Sequence, residues 1–93
     1  MAVSRPGSIP SEKIRDWVEL QGAKDGVNTV FTTPESFIET SNIRIKVFVN
    51  GIRQDVDHDY TVSGGPTAGT GDTLTFLFTP KPSDKLFADY IAV

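Results

Sequence analysis

The sequence predicts an all-β fold: a single small antiparallel β-sandwich of immunoglobulin-like size, with about seven strands. Three observations predict it. Short apolar runs with a period of two recur along the chain, rich in Val, Ile, Thr, Phe and Tyr. Segments carrying Gly, Pro, Asn and Asp separate those runs at sandwich-like spacing. With 93 residues, 38 % hydrophobic and 23 % charged, the chain has enough apolar content for one thin core.

The elements follow in order. Residues 1–13 form an extended N-terminal arm in this reading, because Pro6, Gly7 and Pro10 resist both helix and central strand. Ser11 with Glu12 would suit the start of a short helical turn. The favoured alternative is a strand over Arg15 to Gln21, with Trp17 and Glu19 on one face and Val18 and Leu20 on the other. Lys24-Asp25-Gly26 then supplies a turn, and Asn28 to Thr33 is the returning strand. Pro34, Glu35 and Ser36 should break it, leaving Phe37-Ile38 as an apolar plug in a crossing segment.

The clearest alternation lies in Ile43 to Val49. Ile43, Ile45, Val47 and Val49 share one face, while Arg44, Lys46 and Phe48 share the other. Asn50-Gly51 is a strong hairpin signal, since a type I′ turn needs positive φ at both central residues. Ile52 to Asp55 should pair back, and Asp59 to Ser63 is a further short strand. A loop over Gly64 to Gly71 leads into Asp72 to Thr79, whose core face is Leu74, Phe76 and Phe78. Pro80-Lys81-Pro82 ends pairing. Leu86 to Val93 closes the domain, residues 14–93, with Leu86, Ala88, Tyr90 and Ala92 on one face. The other face holds Phe87, Asp89, Ile91 and Val93, too apolar for full solvation, and predicts burial against the second sheet or a partner.

Composition argues against several function classes. The net charge is −3 and the basic residues are scattered, so there is no basic stripe to track a nucleic acid. The chain has no cysteine, which removes disulfides, thiolate metal sites and cysteine nucleophiles. Residues Met1 to Pro10 have one Arg and no apolar run, and no later stretch suits a bilayer span. The expectation is a soluble protein made in the cytoplasm without a signal peptide or membrane contact.

Four groupings invite a chemical reading. Asp55, Asp57 and Asp59 alternate around His58 like the opening of a calcium loop, yet the sixth-position Gly and the twelfth-position Glu are absent, Pro66 standing at the latter. A solvated turn, with Asp59 bonding nearby backbone amides, accounts for the run better. His58 is the one histidine, so zinc or a Ser-His-Asp nucleophile would lack support, and no catalytic, metal or cofactor residue is expected. The glycine-rich stretch Gly64 to Gly71 lacks the Gly-Lys-Ser/Thr ending of a phosphate loop and leads into a strand. Trp17, Phe31, Tyr60 and Tyr90 would stack sugars if gathered on one surface, but alternating aromatics in a small sandwich usually build its core.

Several short pieces also carry a resemblance when taken in order: Asp25-Gly26-Val27-Asn28-Thr29-Val30-Phe31, Val47-Phe48-Val49-Asn50-Gly51-Ile52-Arg53-Gln54, Asp59-Tyr60-Thr61-Val62 and Leu74-Thr75-Phe76, followed by Pro80, Asp84 and Tyr90. From about Trp17 onward the chain resembles a small β-sandwich module of tailed-bacteriophage virion structural proteins. The resemblance implies a non-enzymatic virion component, foremost a capsid decoration or a neck- or tail-associated protein. It implies capsid, neck or tail proteins as partners, in a homo-oligomer or symmetric lattice, with no cofactor. The rival reading of the residues is a host-surface or glycan-binding module.

Overall fold

The computed structural model describes residues 13–93; the expected arm, apart from Lys13, and the Ser11-Glu12 helix start lie outside the described residues. Seven strands form: β1 Ile14–Glu19, β2 Val30–Ile38, β3 Lys46–Val49, β4 Ile52–Arg53, β5 Tyr60–Ser63, β6 Thr70–Phe76 and β7 Leu86–Ile91. They make two antiparallel sheets, one ordered β1-β7-β3-β4 and one ordered β2-β6-β5. No strand pair within a sheet is parallel, and the expected all-β, sandwich-like fold is what forms.

The local signals produce the local structure. Asn50 and Gly51 both adopt positive φ, 53° and 83°, the type I′ geometry that matches the twist of β3 and β4. In β7 the alternation places Leu86, Ala88 and Tyr90 in the core and leaves Phe87, Asp89 and Ile91 half-buried on the opposite face. The core interleaves Val47, Leu86, Ala88 and Tyr90 of the first sheet with Phe31, Phe37, Tyr60, Leu74 and Phe76 of the second. The Phe31 and Phe76 rings meet edge to face at 5.7 Å, and Phe37 meets Tyr90 at 5.8 Å.

Long-range pairing departs from the sequence reading in several places. β1 and β2 do not form the expected hairpin: β1 pairs with β7 and β2 with β6, and between the two segments run the isolated bridge Gln21↔Thr32 and the Arg15–Glu35 ion pair at 2.7 Å. The intervening segment is a crossover between sheets, folded on itself by side chains. Asp25 Oδ1 accepts the Val27 and Asn28 amides at 2.9 Å each, and Asn28 Nδ2 donates to the Ala23 and Val30 carbonyls. Those backbone bonds pull Asp25 below the ordinary carboxylate range.

Pro34 does not end β2. The ladder skips from Thr32↔Thr73 to Phe37↔Gly71, so residues 33–36 bulge out opposite Asp72 alone, and Phe37 re-enters the sheet as core. An edge strand tolerates this because the missing proline N–H has no neighbour to serve. β3 is shorter than Ile43 to Val49. Residues before Lys46 are held by side chains instead, with Glu39 accepting from the Ile45 amide and pairing with Arg44 at 2.8 Å. β4 keeps only two of its four expected residues, and β6 begins at Thr70 and ends at Phe76, so both flanking loops differ from the expected lengths.

Candidate interaction surface

The two sheets present different outer faces. On the β2-β6-β5 sheet, the register aligns Val30, Thr75 and Thr61 in one row and Thr32, Thr73 and Ser63 in the next. Hydroxyl-bearing residues there satisfy strand propensity while meeting water. On the β1-β7-β3-β4 sheet, the ladder aligns Glu19, Phe87, Phe48 and Arg53 in one row, and Asp89 with Lys46 in the next. Further along, Ile14 lies opposite Ile91.

Trp17 joins this second face through a bulge. The β1–β7 register slips between Arg15 and Val18, and Trp17 sits at φ 53°, a conformation that side chains bearing a Cβ rarely adopt. Its amide is taken up by Asp89 Oδ1 at 2.7 Å, which holds the bulge closed. The indole lies flat on Phe87, centroids 4.6 Å apart and planes 9° apart, and meets Phe48 at 5.7 Å. Trp17 remains 52 % exposed. Three aromatic rings from β1, β7 and β3 thus form a continuous apolar seam with no partner from the second sheet.

Beside the seam runs a shallow open groove of about 190 Å³, lined in part by Asp16, Arg44, Lys46 and Asp89. It is smaller than the roughly 300–1,000 Å³ that enclose a drug-sized ligand, so it favours contact with a surface over engulfment of a small molecule.

The residues singled out from the sequence separate on this framework. Phe31, Tyr60 and Tyr90 are core, at 1 %, 2 % and 4 % exposure, so the imagined sugar platform retains only Trp17. The stacking partners of Trp17, Phe48 and Phe87, were not grouped with it, although Phe48 on the charged face of its strand was a visible signal. The acidic turn is internally bonded: Asp59 Oδ2 accepts the Asp55 amide, the Asp59 amide donates to the Asp55 carbonyl, and Asp57 donates to Tyr60. No group of three or more His, Cys, Asp or Glu side chains is placed to hold a metal among the described residues. The residues 64–69 connect β5 to β6, and no helix N-terminus follows them to receive an anion.

Asn50 and Asp84 join three loops at one end of the domain. Asp84 accepts from the Lys81 amide and from Asn50 Nδ2, while Asn50 Oδ1 accepts the Lys85 amide at 2.9 Å. Lys24 Nζ reaches the Asp84 carbonyl. The β3–β4 turn, the β6–β7 connection and the crossover loop are thereby clamped, and the Asp84 carboxyl is held below its usual range by the Lys81 amide and then by Asn50. No protein-family model, curated protein or solved structure matches the chain.

Tyr60 supplies a pH-dependent prediction. Its hydroxyl donates to the Ile45 carbonyl at 3.2 Å, and burial pushes its pKa up to about 12 from the ordinary 10.0. The folded state keeps the proton longer than the unfolded state. Its contribution is therefore complete below pH 10 and is lost as pH rises toward about 12. Urea unfolding followed across that range should show falling stability, and Tyr60→Phe should flatten the fall while costing about 0.5–1.5 kcal/mol at neutral pH. Tyr90→Phe should cost less than Tyr60→Phe, since the buried Tyr90 hydroxyl has only a loose contact with the Glu35 backbone in place of a well-formed hydrogen bond.

Proposed function

We propose that this chain is a non-enzymatic structural subunit of a tailed-bacteriophage particle, a capsid decoration or neck- or tail-associated component docking on a symmetric protein lattice. The observation that carries the reading is the Trp17-Phe87-Phe48 seam, an aromatic face that the domain's own second sheet leaves uncovered. Aromatic residues at the centre of a polar rim are the composition of protein interfaces. The motif resemblance supplies the setting. Its residues Asp25, Asn28, Asn50, Asp59 and Asp84 all act as backbone braces, which suits a module whose polar side chains are architectural and whose surface does the work. A small domain gains stability by mass action when it is bound into an assembly, which fits a subunit of modest intrinsic stability.

The test is light scattering coupled to size-exclusion chromatography, on the protein alone and mixed with particles lacking it. The expected result is saturable binding at a symmetric copy number. Trp17→Ala should reduce binding at least tenfold, on the scale of about 2 kcal/mol for a central aromatic anchor, while the circular dichroism spectrum stays that of the parent. A protein that ignores every particle but binds an array of glycans through Trp17 would replace this reading with the glycan-binding one.

A further inference from the structure

The seam lies in a row whose order is self-complementary. Across the four-stranded sheet the ladder reads Glu19, Phe87, Phe48, Arg53: an anion on β1, two aromatic rings on β7 and β3, and a cation on β4. Glu19↔Phe87, Phe87↔Phe48 and Phe48↔Arg53 are direct cross-strand partners, so all four side chains share the outer face. The next row repeats the polarity, with Asp89 on β7 opposite Lys46 on β3.

Consider a two-fold axis lying in the plane of this face, roughly parallel to the strands and midway between β7 and β3. It carries β1 of one copy over β4 of the other and β7 over β3. Glu19 then meets Arg53 of the second copy, and the reverse contact forms by symmetry. The stacked pair of Phe87 and Trp17 meets Phe48 of the second copy, and Asp89 meets Lys46. Every charge on these two rows faces its opposite, and the aromatic seams close on each other. Aligned packing of two sheets face to face is also a geometry that strand twist favours.

We infer that the partner seated on this face is a second copy of the chain, bound isologously through the four-stranded sheet. The inference rests on reading the face as an interface, and it names the occupant. The strands of this sheet, six, six, four and two residues long at about 3.3 Å per residue and about 4.8 Å apart, give roughly 290 Å² of sheet per copy, roughly 570 Å² in all. That lies below the roughly 1,200 Å² at which specific, stable interfaces begin, so the pair is weak in dilute solution and is reinforced where a lattice holds two copies together.

The symmetry makes a selective test possible. Glu19→Arg places two cations opposite each other in the self-pair, and Arg53→Glu places two anions there. Mixed together, the two variants regain complementary charges at both ends of the row. Sedimentation equilibrium up to about millimolar protein should show self-association of the parent, weakened at least threefold in each single variant. An equimolar mixture should associate at least tenfold more tightly than either variant alone, and the chain carrying both substitutions should self-associate like the parent. All three variants alter exposed positions, and equal thermal melts verify that they fold. A mixture no tighter than its components overturns the inference, as does a parent that stays monomeric throughout. In the latter case, particle binding that still depends on Trp17 would leave the face an interface with a different protein; loss of both would remove the functional reading as well.

Discussion

Phe37→Ala is expected to lower the thermal midpoint by roughly 12–40 °C, the consequence of losing about 3–5 kcal/mol at about 4–8 °C per kcal/mol for a domain of this size. Total stability for 93 residues is of the order of 5–14 kcal/mol, so one side chain accounts for a large part of it. The position is unusual in serving both sheets. Phe37 is fully buried, pairs with Gly71 on β6, bridges Ala92 just beyond β7, and sets its ring against Tyr90. Truncation leaves a cavity at the place where the two sheets meet, and the bulge before it loses the anchor that brings β2 back into register. A thermal melt followed by the far-ultraviolet circular dichroism of the β-sheets checks this. Phe37→Leu, which keeps most of the volume, should lose less than half as much. A drop of less than about 5 °C for the alanine variant would mean that Phe37 is not the packed junction described.

The same residue shows how much of the fold the sequence made legible. Phe37 read as apolar, which is true, and as lying in a crossing segment after a strand break, which is not: the chain rejoins the same sheet after four bulged residues. A proline signals the loss of one donor, but whether that ends a strand depends on whether a neighbour needed the donor, which is a fact of topology. Signals that act over a few residues came through: Asn50-Gly51 as a turn, the alternation of β7, the core face of Leu74 and Phe76. Pairings that join distant segments did not. β1 and β7 lie some seventy residues apart, and nothing near Trp17 says that Phe87 will lie beneath it. The candidate surface was half legible for that reason. The apolar second face of the last strand, Phe87 with Ile91, pointed to burial against the second sheet or a partner, and the structure turns that face away from the second sheet. Grouping Trp17 with Phe31, Tyr60 and Tyr90 by residue type alone mixed one exposed ring with three buried ones.

Gly71→Ala should also destabilise the domain, by about 1–3 kcal/mol, and for a reason of space and not of backbone freedom. Gly71 sits in the interior of β6, opposite Phe37. A Cβ built there would stand 2.7 Å from Val62 Cγ1 and 3.0 Å from the Phe37 ring. The absence of a side chain is what allows the ring to lie against the strand, an arrangement in which an aromatic neighbour compensates for the weak strand propensity of glycine. The nearest obstacle, Val62, is on the adjacent β5, and it offers a way to separate crowding from propensity. If crowding dominates, Val62→Ala opens room for the new methyl, and the double variant should lose less than the sum of the two single losses by about 0.5–3 kcal/mol. If propensity dominated, alanine would stabilise the strand outright, because it costs less chain entropy than glycine. Chemical denaturation of the four chains distinguishes these cases. Strict additivity would show that the β6 glycine is not held by the close approach of Val62, and would leave the Phe37 ring as the contact that must yield.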